Sequence, residues 1–357
     1  MRSSDECDVN DDECVEHVHA VVACMRGAEH PLPEIARFTV EEYNATLDSS
    51  EPTPAEQALT GQYDRGFQLL KLLPDDWSRG TAAPKIEAPY ITYNWEEQVL
   101  KIVADGSDPE FELEGLVYTL VLADRDAEVG LGGLYSERGA TFDQASAIGA
   151  LISGEATFYS DLALAREADY ATTAADLIDY GVALGNIHGD YLLARDVPWD
   201  AAMSLFRYYY GAAAADRRYT EDGPEGVSAG YSEAIASTAY ALAGPGEAIE
   251  AAFSAIDTAL PDPPEGFRYL AQDSFGPVMW FMYTARNEFD AFDGPGLEEA
   301  TALARAWIGD RIVFAGEADG ERVAVVWQLA DSDGSVAETV VVGSDDETRA
   351  IFAELFP

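Results

Sequence analysis

Cys7, Cys14, His17, His19 and Cys24 gather thiols and imidazoles, the donors from which zinc sites are built, near the start of the chain. Their spacing lacks the close ligand pairs of a zinc site, so they read as incidental polar residues around a helix start. Three cysteines allow one disulfide and one remaining thiol, and the pairing stays open. His188, in Gly185-Asn186-Ile187-His188-Gly189-Asp190, has the chemistry of a general base. No serine or cysteine nucleophile motif accompanies it, which favours a hydrogen-bonded loop histidine. Phe206, Tyr208, Tyr209 and Tyr210 offer apolar faces with polar tips. Core packing is the commoner use of such a run, and a binding groove is the alternative. The glycine-rich stretch 130–139 lacks the spacing and preceding strand of a phosphate cradle, and reads as a connector.

The elements that must position these side chains follow from periodicity and punctuation. Val15, Val18, Val21, Val22 and Met25 recur at helical spacing behind Asp11-Asp12, giving an amphipathic first helix. A short strand is expected around Ala36 to Val40. Thr53-Pro54-Ala55-Glu56 combines a cap, a proline at the first helical position and a glutamate at the third, opening a helix with Leu59, Tyr63, Phe67 and Leu70 on one face. Tyr90 to Trp95 and Gln98 to Val103 read as a hairpin. Asp108-Pro109-Glu110 starts a helix expected to bury Phe111, Leu113, Leu116, Val117, Leu120 and Val121. Thr141 to Gln144 forms a second capping box before a long helix through Ile148, Leu151, Ile152, Phe158 and Leu162. Further helices are expected near 171–185, 198–215, 228–242 and 246–259. Pro261-Asp262-Pro263-Pro264 marks a break. Beyond it come one or two helices to about Ala306, strands at Arg311 to Phe314 and Arg322 to Leu329 around Asp319-Gly320, and a strand at Thr339 to Val342. A closing helix is capped by Ser344-Asp345-Asp346-Glu347.

Charge bounds the setting. The 357 residues carry 66 acidic against 21 basic side chains, a formal net charge of -45, far beyond what solubility requires. At molar ionic strength the Debye length shrinks to roughly 3 Å and such a surface stops repelling itself, so the composition points to brine. The basic residues agree, with Lys71, Lys85 and Lys101 the three lysines beside eighteen arginines. A hydrophobic content of 48% excludes an acidic disordered chain. The lack of a basic patch argues against nucleic acid as a partner. The start, MRSSDECDVNDDEC, is acidic and polar, and contains no apolar export segment.

Two segments carry a resemblance. GLVYTLVLADRD, Gly115 to Asp126, and LISGEA, Leu151 to Ala156, resemble the paired helices of a family of haloarchaeal zincin-like surface proteins, often lipoproteins, which read TLVHELVHALQDQ and LVEGEA. AEQALTGQYDRGFQLLKLL, AWIGDR from Ala306 and VAVVW from Val323 extend the likeness over most of the chain, from about Val15 onward. The family motif needs two imidazoles one turn apart, a glutamate between them to take a proton from bound water, and a third ligand from the second helix. Here Tyr118 stands at the first histidine, Thr119 at the general base and Leu122 at the second histidine; only Glu155 matches a ligand. A phenol, an alcohol and an alkyl chain cannot build that site, so the resemblance implies a degenerate member without zinc. Glu155 then reads as a relic carboxylate in a cleft with Asp126 and Tyr118, or as an ordinary hydrogen-bonded helix residue.

The expected fold is α+β and predominantly helical, with a zincin-like core over 1–260 and a small α+β unit over 265–357. The expected function is that of a halophilic, non-catalytic, surface-associated or binding protein. No cofactor is expected, and its partner would be an unknown protein or small molecule. The competing readings are a hydrolase reusing Glu155 and Asp126 as a carboxylate pair, and a structural component of the cell envelope. The resemblance implies a surface or secreted location and an oxidising setting in which Cys7 and Cys14 could pair, while the start as written carries no export signal.

Overall fold

A computed structural model describes residues 7–47, 53–78, 86–167, 194, 196–232, 237–242, 256, 258–287, 302–317 and 320–357. The expected helices at 171–185 and, for most of its length, 246–259 lie outside the described residues, as does His188. Within them the protein is mixed helix and sheet, as expected.

The first half is a helical layer beside a small sheet. Helix α1 (Asp12–Arg26) is capped by the Asp11 side chain and buries Val15, Val18 and Val22. Strand β1 (Glu34–Arg37) ends earlier than expected, because Thr39 forms a capping box with Glu42 and turns Val40 into the start of helix α2 (Val40–Thr46). The capping box at Thr53 opens α3 (Pro54–Leu69) as expected. Its apolar face is narrower than the periodicity suggests: Phe67 is buried and Leu59 is exposed. Strands β2 (Tyr90–Asn94) and β3 (Val99–Val103) form the antiparallel hairpin, and β1 joins β3 in parallel. Helix α4 (Pro109–Val129) buries Leu113, Leu116, Val117, Leu120 and Val121, whereas Phe111 is turned outward.

The stretch 130–139 is not a connector. It holds helix α5 (Leu131–Arg138), because Gly130 takes φ 67°, closes α4 and restarts the chain one residue later. Helix α6 (Phe142–Glu167) follows from the Thr141–Gln144 box, whose two reciprocal bonds are both 3.2 Å. Helix α7 (Trp199–Ser232) runs further than the expected 198–215 and absorbs the start of 228–242, bending at Asp222 and Gly223, with Pro224 just after the bend. Helices α6 and α7 cross at Gly154 and Gly211. A Cβ on Gly154 would sit 2.0 Å from the Gly211 carbonyl carbon, and one on Gly211 would sit 2.1 Å from the Ala150 oxygen. The glycine of LISGEA is therefore a packing residue, setting how near α7 comes to α6.

After a short turn of helix, α8 (Ala239–Leu242), the tail contributes a four-stranded antiparallel meander: β4 (Phe267–Asp273), β5 (Asp310–Glu317), β6 (Val323–Ala330) and β7 (Val336–Gly343). Periodicity missed β4. Helix α9 (Gly276–Asn287) precedes β5, and α10 (Asp346–Leu355), capped by Asp345, closes the chain. Alternate residues of the sheet face opposite cores, the two-residue period of a strand. Ile312, Phe314, Val325 and Trp327 pack with Phe67, Met203, Phe206 and Trp280, while Val313, Ala315, Ala324 and Val326 pack with Phe267 and Phe352. The first of these clusters draws on both sides of the Pro261–Pro264 break. The AWIGDR and VAVVW segments also meet: Trp327 Nε1 donates to Asp310 at 2.7 Å, and Asp310 accepts from the Phe275 and Gly276 amides at the start of α9.

Candidate functional site

Helices α4 and α6 lie antiparallel, so Arg125 meets Glu155 near one end and Glu114 meets Ser160 near the other. The two ends have opposite character.

At the first end the one position matching a ligand of the resembled motif, Glu155, is wholly enclosed. Arg125 donates to it through Nε at 2.9 Å and Nη2 at 2.6 Å, Arg26 of α1 through Nε at 3.2 Å, and the Tyr231 hydroxyl of α7 at 2.6 Å. The guanidinium of Arg125 lies 4.1 Å over the Tyr231 ring. Burial alone would push the Glu155 carboxyl up, but Arg125, Arg26 and the Tyr231 hydroxyl together hold it below its ordinary value. The network continues outward: Arg26 pairs with Glu128 at 2.9 Å and Asp124 at 3.2 Å, His19 meets Asp124 at 3.2 Å, and His30 meets Glu128 at 3.0 Å. Arg125 also bonds Glu128.

The relic cleft expected from Tyr118, Asp126 and Glu155 is not assembled, because each has its own partners. Asp126 accepts the Tyr93 hydroxyl at 2.8 Å and the Leu131 amide at 2.7 Å, tying the hairpin to the start of α5. Thr119 is buried and returns its hydroxyl to the Gly115 carbonyl at 2.8 Å, a bond made within its own helix. Leu122 packs against the apolar cluster that includes Leu131, Leu151 and Ile152. Glu155 and Asp126 thus do not form the paired carboxylates of an open site.

Tyr118 faces the other end, a groove of about 410 Å³ between β2, α4, α6 and α7. Its walls include Tyr90 from β2, Phe111 and Glu114 from α4, Asp161 from α6, and Tyr208 and Tyr209 from α7. The run 206–210 divides by helical phase: Tyr208 and Tyr209 line the groove, whereas Phe206 is core and Tyr210 packs against it. The Tyr118 ring centroid lies 5.9 Å from that of Tyr208, and burial and the neighbouring phenol push the Tyr118 hydroxyl up. Burial, then Asp161, Glu110 and Asp108, raise the Glu114 carboxyl.

At the chain start, Cys7 and Cys14 form a disulfide and Cys24 is a free, exposed thiol. Among the described residues no group of three or more His, Cys, Asp and Glu side chains is arranged to hold a metal ion, and no helix is long and apolar enough to cross a membrane.

Sequence reasoning missed Arg26, Arg125 and Tyr231 on one side and Tyr90, Phe111 and Glu114 on the other. A signal for the first set existed: Asp124-Arg125-Asp126 directly follows the apolar run Leu120 to Ala123 and must find partners, since unpaired buried charge is costly. For the second set Phe111 looked like core. No family model, no curated protein and no solved structure matches the chain.

Proposed function

We propose that this chain is a non-catalytic binding protein of brine, with a zincin-like core in which the helix resembling a metal helix serves packing at one end and walls a groove at the other. The observation that carries the reading is the saturation of Glu155. An ionised carboxylate offers about four lone-pair sites. Its Oε1 accepts from Arg125 Nη2 and Arg26 Nε, and its Oε2 from Arg125 Nε and the Tyr231 hydroxyl. A carboxylate so occupied has no position left for a metal, a water or a substrate proton. Asp126 is engaged on both oxygens as well, which argues against the carboxylate-pair hydrolase. Purified protein exposed to excess zinc in molar potassium chloride and then dialysed is expected to retain no stoichiometric metal and to show no chelator-sensitive peptide hydrolysis. One tightly held zinc per chain would sink the reading.

The brine setting rests on the net charge of -45. Sixty-six carboxylates repel unless screened, so the unfolding midpoint is expected to fall steeply as salt drops from molar to about tenth-molar. A midpoint indifferent to salt would refute it. Surface association draws support from the Cys7–Cys14 disulfide, since oxidising compartments preserve such bonds. Alkylation of native cells without reductant should label Cys24 and spare the other two. Recovery from the cytosol alone with all three thiols reactive would place the protein elsewhere.

A further inference from the structure

We propose that the groove between β2, α4, α6 and α7 takes a small organic cation whose charge is clad in alkyl groups, a quaternary or heavily methylated ammonium. The proposal rests on the binding-protein reading and gives that reading a ligand class.

Three observations converge. First, Tyr90, Phe111 and Tyr208 are large apolar side chains left 36%, 55% and 40% exposed, and all three stand on this one groove. Apolar side chains scattered singly over a surface need no explanation, but several gathered on one concavity mark a contact site. Second, the charged side chains lining the groove are both carboxylates, Glu114 and Asp161, with no lysine or arginine among them. The charges acting on Glu114 are also carboxylates, those of Asp161, Glu110 and Asp108. A positive charge beside Glu114 offsets the repulsion that these carboxylates exert on it. Third, the space of about 410 Å³ suits a small organic molecule and far exceeds a bare ion.

The medium selects among cations. In molar potassium chloride an exposed carboxylate is screened within roughly 3 Å and meets inorganic ions constantly, so charge alone discriminates nothing. A potassium ion or a primary ammonium keeps a tight hydration shell and gains little from a ring face. An alkyl-clad ammonium surrenders its water readily, buries apolar surface, and is attracted to aromatic faces by the ring quadrupole. Phe111, Tyr90, Tyr118 and Tyr208 supply such faces and Glu114 the counter-charge. Anionic ligands are excluded by the same carboxylates.

The test is a calorimetric titration of the full chain in molar potassium chloride with choline and with dimethylbutanol, its uncharged isostere. Choline is expected to bind at one site per chain, with the isostere weaker by about tenfold. Glu114→Gln should weaken choline by a similar factor and leave the isostere unchanged. Tyr208→Ala should weaken both, and each variant should keep the wild-type unfolding midpoint. Equal affinity for the two probes would overturn the cation proposal yet leave a binding groove in place. Failure of choline to bind would overturn the proposal. So would capture of a lysine homopolymer without choline binding, since that assigns the groove to a protein partner. The zinc and peptidase measurements above report on the non-catalytic reading independently of all these outcomes.

Discussion

Glu155 and Glu114 are two carboxylates on one antiparallel helix pair, and the structure treats them in opposite ways. Around Glu155 two guanidinium groups and a phenol converge, and burial ends in a charge held below its usual titration range. Around Glu114 the charged neighbours are carboxylates, and the group is pushed up. A buried pair satisfied on every lone pair is a fixture that rigidifies the contact of α1, α4, α6 and α7. A partly buried charge that meets no counter-ion among the described residues keeps its capacity to interact. The contrast locates where this molecule is built to hold itself and where it is free to hold something else.

The largest expected effect lies at the fixture. Arg125→Met removes the bidentate partner of Glu155 and leaves a fully buried carboxylate with Arg26 and Tyr231 alone, which should cost about 3–5 kcal/mol. Chemical unfolding in molar salt reads this out. The double variant Arg125→Met, Glu155→Met should recover part of the loss, because the stranded charge is gone. A double variant less stable than the single one would mean that the pair does more than neutralise itself.

The second effect sharpens the contrast through pH. Because Glu155 is held low, its stabilising contribution is present above the unfolded value near 4.5 and is lost as pH falls through its folded value. Asp143 and Asp310 have the opposite sign. Burial, opposed by donors without charge, pushes Asp143 from 3.8 to about 7 and Asp310 from 3.8 to about 6. Asp143 is held by the Thr238 amide and hydroxyl, and Asp310 by Ser274, Trp327 and two backbone amides. The folded state therefore binds more protons than the unfolded one between about pH 4 and 7, and stability should fall as pH rises through that window. The slope is at most about 1.4 kcal/mol per pH unit for each group. Asp143→Asn should flatten the midpoint-against-pH curve between pH 5 and 7, and an unchanged slope would break the assignment.

Much of the scaffold around both regions was legible. The capping boxes at Thr53 and Thr141, the hairpin and the strands β5, β6 and β7 of the tail follow from local rules that need no knowledge of tertiary contacts. Where reading failed, distant residues decided the outcome. Helix α5 hid in a glycine-rich stretch because its start is fixed by the side chain of Asp126, a residue of the preceding helix. Phe111 keeps the helical phase of a core residue, yet the α4 face it occupies borders the groove instead of another element. The partners of Glu155 stand 30, 76 and 129 positions away, and no periodicity encodes such a meeting. The absence of metal-ligating side chains at Tyr118, Thr119 and Leu122 could be read from the sequence, but where Glu155 finds its partners could not.

The smallest effect tests the groove side of the contrast. Glu114 is only partly buried and accepts no hydrogen bond from a cation among the described residues, so exchanging it for glutamine removes repulsion and deletes no favourable pair. Glu114→Gln should therefore leave stability in molar salt within about 0.5 kcal/mol of the parent, the range of ordinary surface changes. As salt is lowered, repulsion from Asp161, Glu110 and Asp108 is less screened, so the variant should gain on the parent. The matching change at the fixture, Glu155→Gln, should be destabilising at every salt concentration, because it removes the fully buried carboxylate that Arg125 and Arg26 share and leaves them only Glu128 and Asp124 as counter-charges. Unfolding midpoints of both variants across a salt series decide the matter. A Glu114→Gln loss as large as that of Glu155→Gln would mean that Glu114 is itself a structural partner, and the two ends of the helix pair would no longer differ in kind.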